Sequence, residues 1–299
     1  MEIPFPAQEK VSSDHTKPIS PMKEMVAYEV MWRDKKTTFK QLAQIFASRP
    51  GKLPSDLVPE EYIESLYSTV KEAALNPALG YRANLLIHGS FDYPSRLRQA
   101  EEPVEVLYYT GNLDLLSTRS IAVVGTRKPS EEGLKLAAEV TRFLVSHDFT
   151  IMSGLAAGID KAAHTAAIEA NGRTIAVIGT PLDHAYPAEN KDLQLRIARE
   201  HLLVTQVPFI RYREQSIKGN KLFFPERNKT MSALSEATVI VEAGETSGTL
   251  IQARAAVYQK RKLFILDHCF ENPHIGWPSG FLAQGAIRVR NFDDILSNL

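Results

Sequence analysis

From Leu115 onward the chain alternates short apolar runs with helical stretches, and no other feature of the sequence narrows the fold as much. The apolar runs are Ile121-Ala122-Val123-Val124, Thr150-Ile151-Met152, Thr174 to Ile178, Leu202-Leu203-Val204, Thr238 to Val241 and Lys262 to Leu266. Helical stretches separate them at Ser130 to Ser146, Asp160 to Ala170, Leu193 to Glu200, Arg227 to Leu234 and Gly248 to Gln259. Runs that are apolar without alternation belong to strands buried on both faces, and strands joined through helices run parallel. The pattern therefore predicts an α/β fold built on a doubly wound, mainly parallel sheet.

The part before this domain reads differently. Residues 1–21 hold Pro4, Pro6, Pro18 and Pro21 among charged and small residues, a composition expected of a flexible tail. Glu2, Glu9 and Asp14 and the lack of an apolar core segment exclude a secretory signal there. Residues 22–80 turn helical. Met25, Tyr28, Val30 and Met31 form one apolar stripe, and Phe39, Leu42, Ile45 and Phe46 a second, with Thr37 or Thr38 as its cap. A third helix opens at Pro59-Glu60-Glu61 and places Ile63, Leu66, Tyr67 and Val70 on one face. Residues 81–299 then form the sheet domain, with short strands expected at Leu85 to Ile87 and Val106 to Tyr109 around a turn at Phe91 to Pro94.

Charge and cysteine content exclude several classes. The 35 basic and 35 acidic residues cancel, with eight histidines, so the chain does not coat nucleic acid by bulk electrostatics; a local basic pocket is still compatible with that balance. The single Cys269 excludes a disulfide framework and a zinc site needing two thiolates, and reads as a small buried apolar residue. No stretch is apolar for the ~18 residues that a membrane helix requires. A soluble cytoplasmic protein without a membrane partner is the expectation.

Candidate chemistry sits at strand ends, where doubly wound sheets open their ligand crevice. Three strands end in glycine, at Gly125, Gly154 and Gly179, which lets backbone N–H groups approach a ligand. Gly125 is followed by Thr126, Arg127 and Lys128, either an anion cradle or a tight turn with solvated cations. In Ser153-Gly154-Leu155-Ala156-Ala157-Gly158-Ile159-Asp160, Asp160 is a natural N-cap for the next helix. His164 lies one turn on, so the two residues form either a catalytic pair or a hydrogen bond that stabilises the loop. Phe223 and Phe224 with Arg227, Asn228 and Lys229 place aromatics beside two cations at a helix start, either a platform for stacking a base and holding its phosphate or side chains of the core. Finally Ser247, Gly248 and Thr249 form a helix-start nest, preceded by Glu242, which either accepts from a ligand or pairs with a loop cation. Dinucleotide, Walker, H-E-x-x-H and G-x-S-x-G fingerprints are all absent.

In their order, these segments resemble the DprA (Smf) family of DNA-processing proteins over roughly residues 84–290. The resemblance is carried by Tyr93-Pro94 with Leu97-Arg98, Pro103-Val104 through Gly111-Asn112-Leu113, Val123-Val124-Gly125-Thr126-Arg127 and Ser153-Gly154-Leu155-Ala156 with Gly158-Ile159-Asp160. It continues through Tyr186-Pro187 with Asn190, Phe224-Pro225 with Arg227-Asn228, Val241-Glu242-Ala243 with Ser247-Gly248-Thr249-Leu250, and Gly285-Ala286. The resemblance implies an extended Rossmann-like fold that binds single-stranded DNA in a basic pocket, as a homodimer, and passes it to the recombinase RecA during natural transformation. It implies neither catalytic turnover nor a cofactor. Arg127 and Arg227 would hold phosphates, Phe224 would lie near bases, and Ser153, Gly154 and Asn228 would shape the pocket. The chain departs from the family pattern at Asp267-His268-Cys269, where a proline–glycine pair is usual, and at Lys229, where an arginine is expected. The glycine-rich hairpin often found among the N-terminal helices is not seen, and with Leu299 as the last residue the winged-helix domain of some members is not expected.

A second functional class is a small-nucleotide site, either a sensor or a phosphoribohydrolase. The Lonely Guy enzymes share a similar fold, and Thr246-Ser247-Gly248-Thr249 is similar to their Gly-Gly-x-Gly-Thr loop without its glycine pair. Those enzymes use an arginine and a glutamate, a part that Glu242 or Glu245 would take.

Overall fold

A computed structural model describes residues 19–75, 80–90, 92–100 and 104–299. The expected tail falls almost wholly outside these residues, as do Phe91 and Pro103 of the motifs above. Three helices come first, α1 (Pro21–Met31), α2 (Phe39–Ala47) and α3 (Glu60–Ala74). Thr38 caps α2, its hydroxyl accepting from the Gln41 N–H, and the short β1 (Asn84–Ile87) follows α3. After α4 (Ser95–Arg98) and β2 (Val106–Gly111) the alternation begins with β3 (Ser120–Val124), α5 (Glu131–Ser146), β4 (Thr150–Ser153) and α6 (Ile159–Glu169). It proceeds through β5 (Thr174–Val177), α7 (Lys191–Glu200) and β6 (Leu202–Thr205) to three successive helices, α8 (Phe209–Glu214), α9 (Ile217–Asn220) and α10 (Phe223–Leu234). The remainder is β7 (Ala237–Ile240), α11 (Thr249–Tyr258), β8 (Lys262–Leu266), α12 (Trp277–Leu282), β9 (Ile287–Val289) and α13 (Asp293–Ser297).

Among the described residues, nine strands join one sheet in the order β1-β2-β6-β5-β4-β3-β7-β8-β9. The pairs β1–β2 and β2–β6 are antiparallel and the rest are parallel, the doubly wound architecture that the alternation predicts. Every residue of β3, β4, β5, β6 and β7 is buried, which is why these strands read as unbroken apolar runs. From β3 the chain steps through β4 and β5 to β6 on one side, then crosses to lay β7 on the other side of β3. The order reverses between β3 and β7, and the crevice of such a sheet opens at that switch point.

The N-terminal helices share their core with one face of the sheet. Met25, Tyr28, Leu42, Ile63 and Val70 pack in a single apolar cluster with Val106, Tyr108, Leu203, Phe209 and Phe223. The stripes seen in the sequence therefore meet one another, α1 packing on α3, and the same cluster continues into the sheet face. Tyr67 is the exception: expected on the buried face of α3, it is 40% exposed. A four-residue step from Ile63 overshoots a full helical turn, leaving the ring at the edge of the stripe.

One buried charge holds this interface. Glu29, fully enclosed in α1, accepts hydrogen bonds from the Phe209 N–H at 2.8 Å, the Ile210 N–H at 3.0 Å and the Tyr108 hydroxyl at 2.8 Å. It thereby serves the open N–H groups at the start of α8, whose N-cap Pro208 offers no side-chain acceptor. Burial pushes the Glu29 pKa up to about 7 against the pull of these donors. An acid whose pKa is raised by folding binds its proton more tightly in the folded state. Stability is thus fully present below the unfolded carboxylate pKa of about 4.3 and is lost as pH rises through the folded value. Urea melts at about pH 5 and about pH 8 are expected to show a fall in stability for the wild type and a smaller fall for Glu29→Gln. Equal falls in both proteins would remove Glu29 as the source.

Candidate functional site

The crevice at the switch point is bordered by two strand-end loops, Gly125-Thr126 after β3 and, after β7, the loop that runs from Val241 to line it from Gly244 to Gly248. The Thr126 N–H donates to the Glu242 carbonyl at 2.7 Å, so the two loops are tied across the point where the sheet reverses. A third loop, between β4 and α6, crosses beneath them. Its Gly158 has φ +78° and lies so close to the Thr126 carbonyl that a Cβ would collide with it. That close approach requires glycine. Leu155, in the same loop, adopts φ +57° and is fully buried, held in this costly conformation by Asn190, whose amide donates to its carbonyl at 3.0 Å.

Arg227, from the second turn of α10, organises the back wall. It is 6% exposed; one guanidinium nitrogen donates to the Gly154 carbonyl at 2.5 Å and the Val177 carbonyl at 2.8 Å, and Nε donates to Asn228 Oδ1 at 2.9 Å. Asp160 lies behind it, its Oδ2 accepting from the N–H groups of Gly154 at 3.2 Å and Ala156 at 3.4 Å. Burial lowers the Arg227 pKa to about 10, with Asp160 opposing and nearby Arg127 adding to the drop, so the side chain stays cationic at neutral pH. Burial likewise raises Asp160, opposed by Arg227 and by the backbone donors. Arg227 thus braces the ends of β4 and β5. Asp160 is not the N-cap expected from the sequence: Gly158 takes that position and the carboxylate folds back onto the preceding loop.

The exposed wall is built from Arg127 and Phe224. The Arg127 guanidinium lies 5.7 Å from the centre of the Phe224 ring, within cation–π range. Tyr186 also approaches that ring at a tilt, with centroids 5.6 Å apart. Gly179 makes room for this arrangement, since a Cβ there would come within 2.7 Å of Phe224 Cδ1. The other two strand-end glycines behave alike. A Cβ on Gly125 would meet Ile159 Cγ1 at 2.5 Å, and one on Gly154 would strike the Arg227 guanidinium. The sequence suggests that these glycines admit a ligand; in the structure each admits a side chain or backbone of the crevice itself.

Lys128, Ala156, Asn228, Ser247, Gly248 and Thr249 also line the crevice, whose volume is about 530 Å³. Ser247 Oγ accepts from the Thr249 N–H at 3.2 Å and donates to its hydroxyl at 3.0 Å, ordering the start of α11. Five candidates lie outside this lining: Gly154, against which Arg227 packs, and four others. Ser153 is fully buried and donates to the Val123 carbonyl at 2.7 Å. The His164 ring pairs through Nδ1 with Thr174 Oγ1 at 2.7 Å, not with Asp160, and burial drives its pKa down to about 3. Lys229 is ion-paired with Glu226 at 2.9 Å and faces a different groove. Glu242 neither awaits a ligand nor pairs with a loop cation: it accepts from the Ser130 hydroxyl at 2.8 Å and from the Ser130 N–H, closing the start of α5. A carboxylate there satisfies the helix dipole that would otherwise attract a phosphate. Gln252 escaped the sequence reading. Buried in the crevice wall four residues after Gly248, it donates to Thr238 Oγ1 at 3.3 Å while its Oε1 has no partner among the described residues.

Fold and crevice define a Rossmann-like binding protein whose switch point offers a cation stacked on an aromatic ring. The chain belongs to the DNA recombination-mediator protein A family, whose model matches residues 84–299. The DNA processing protein DprA of Bacillus subtilis is 36% identical over 217 residues, 72% of this chain and 71% of that protein. Protein Smf of Synechocystis is 41% identical over 212 residues, 70% of this chain and 52% of its own length. The X-ray structure of DprA from Streptococcus pneumoniae superposes with a TM-score of 0.74 at 27% identity, covering 94% of this chain and 98% of that one. A Helicobacter pylori DNA processing protein A structure, described by its single-stranded DNA binding mode, gives a TM-score of 0.63 at 26% identity over 74% of this chain and 96% of that one.

The two arginines are expected to separate in a thermal melt. Arg227→Ala strands two buried carbonyls and the Asp160 carboxylate, a change worth about 3–5 kcal/mol. Arg127→Ala, on the surface, is expected to stay within about 0.5 kcal/mol of the wild type. Similar melting temperatures for all three proteins would show that Arg227 does not brace the crevice.

Proposed function

We propose that the switch-point crevice binds single-stranded DNA and that the protein works in the cytoplasm as a recombination mediator, without catalytic turnover. The observation that carries this reading is Arg127 stacked on Phe224 at the crevice mouth: a phosphate-gripping fork and a base-stacking face presented together. Membership in the recombination-mediator family and the likeness to the Helicobacter pylori protein support the same ligand. Delivery of the strand to RecA and assembly as a homodimer, both implied by the family resemblance, belong to this proposal. Among the described residues no helix is long and apolar enough to cross a membrane.

The nucleotide-hydrolase alternative loses its acidic residues to structural work. Glu242 closes the start of α5 through Ser130, and Glu245 accepts from the Gly276 N–H at 2.9 Å. Engagement of both carboxylates within the protein counts against a role on a ribosyl bond.

Anisotropy titrations with labelled oligothymidylate test the proposal. Arg127→Ala is expected to weaken binding at least about tenfold, or about 1.4 kcal/mol. Phe224→Ala is expected to cost about 1–3 kcal/mol, the value of one stacked base, and affinity should fall as salt rises. Tight binding of nucleoside monophosphates with release of free base would overturn the DNA reading. A strict monomer in light scattering would overturn the homodimer.

A further inference from the structure

A second groove, also of about 530 Å³, runs between the end of α1 and the start of α2 on one side and helices α8 to α10 on the other. Lys35, Lys40, Arg211 and Lys229 line it against a single acidic residue, Glu226. The crevice lining, by comparison, holds Arg127, Lys128 and Arg227 against Asp160. The two cavities meet at Pro225, which borders both, one residue from the Phe224 ring. The walls of the groove are fixed to each other, because Arg211 on α8 donates to the Lys35 carbonyl at 2.8 Å. Leu222, 70% exposed, adds an apolar surface beside the cations. Lys229, which the sequence places with the crevice residues, lines this groove instead.

We propose that the groove is the second segment of one binding track. A single strand seated in the crevice continues over Phe224-Pro225 and lays its next phosphates along Lys35, Lys40 and Arg211, while Leu222 contacts a base or sugar. This inference rests on the single-stranded DNA reading of the crevice and extends it: the helical module becomes part of the nucleic-acid surface. Charge complementarity and continuity with the crevice select the strand over an acidic protein segment as the occupant. The exposed Lys218 and Lys221 stand beside the groove on and just after α9, adding positive potential along the same path.

The test compares oligothymidylates of ~6 and ~20 nucleotides, lengths spanning typical site sizes, by anisotropy at several salt concentrations. The full chain carrying Lys35→Glu with Lys40→Glu is expected to bind the long strand on the order of tenfold more weakly and the short strand unchanged. Its slope of log affinity against log salt for the long strand should shrink by about 1.4, the loss of two phosphate contacts. Lys35→Gln with Lys40→Gln repeats the measurement without reversing charge, and circular dichroism checks that both variants fold. An equal loss for both lengths, or no loss for either, overturns the groove. Arg127→Ala run alongside separates the two readings: if it leaves the short strand bound as before, the crevice reading itself falls.

Discussion

The crevice depends on one buried guanidinium. Arg227 reaches from α10 to the carbonyls that end β4 and β5, and so sets the spacing of the loops from which the site is made. A charge so enclosed is tolerated only because carbonyl oxygens and a nearby carboxylate surround it. That requirement propagates outward. Gly154 must carry no Cβ, since the guanidinium fills the space, and Asp160 must turn back from its helix to hold the same loop. Because Arg227 is committed to the fold, the arginine left exposed at the mouth is Arg127, steadied by the Phe224 ring.

A related economy governs the acidic residues. Glu242 closes the N-terminus of α5, Asp160 accepts two loop N–H groups and Glu29 serves the start of α8. Each carboxylate meets backbone donors that would otherwise be unsatisfied. The formal charge of +0 therefore conceals an asymmetry: several acids are spent inside the fold, while Arg127, Lys128, Lys35 and Lys40 remain at the surface. A chain with no net charge can in this way keep cationic ground for a polyanion, and a site-focused binder follows rather than a coating one. The closure by Glu242 also sets this crevice apart from a dinucleotide fold, in which that first helix start receives the pyrophosphate.

The helical module belongs to this logic. Its apolar stripes share a cluster with the sheet face, and Glu29 adds a directional tie that apolar packing alone does not supply. The family model begins only at residue 84, yet the pneumococcal structure superposes on 94% of the chain, so the likeness of fold reaches into these helices.

Most of the architecture was legible in the sequence, because strands buried on two faces leave unbroken apolar runs and amphipathic helices leave a period. The short α8, α9 and β9 escaped, since three to six residues are too few to show one. The site was legible as a set of loops: the residues around Gly125, Phe224 and Ser247 do meet at one crevice. Their individual parts were not, because a sequence lists residue types and not distances. The strand-end glycines, Arg227 and Glu242 have the chemistry of ligand-binding groups, and packing turned them inward to satisfy the protein's own backbone and side chains. Apolar runs, helical periods and turn residues are enough to specify the sheet, its helices and the loops that carry the chemistry. Which cations brace those loops and which face solvent depends on contacts between residues as far apart in the chain as Gly154 and Arg227, and these arise only when the fold closes.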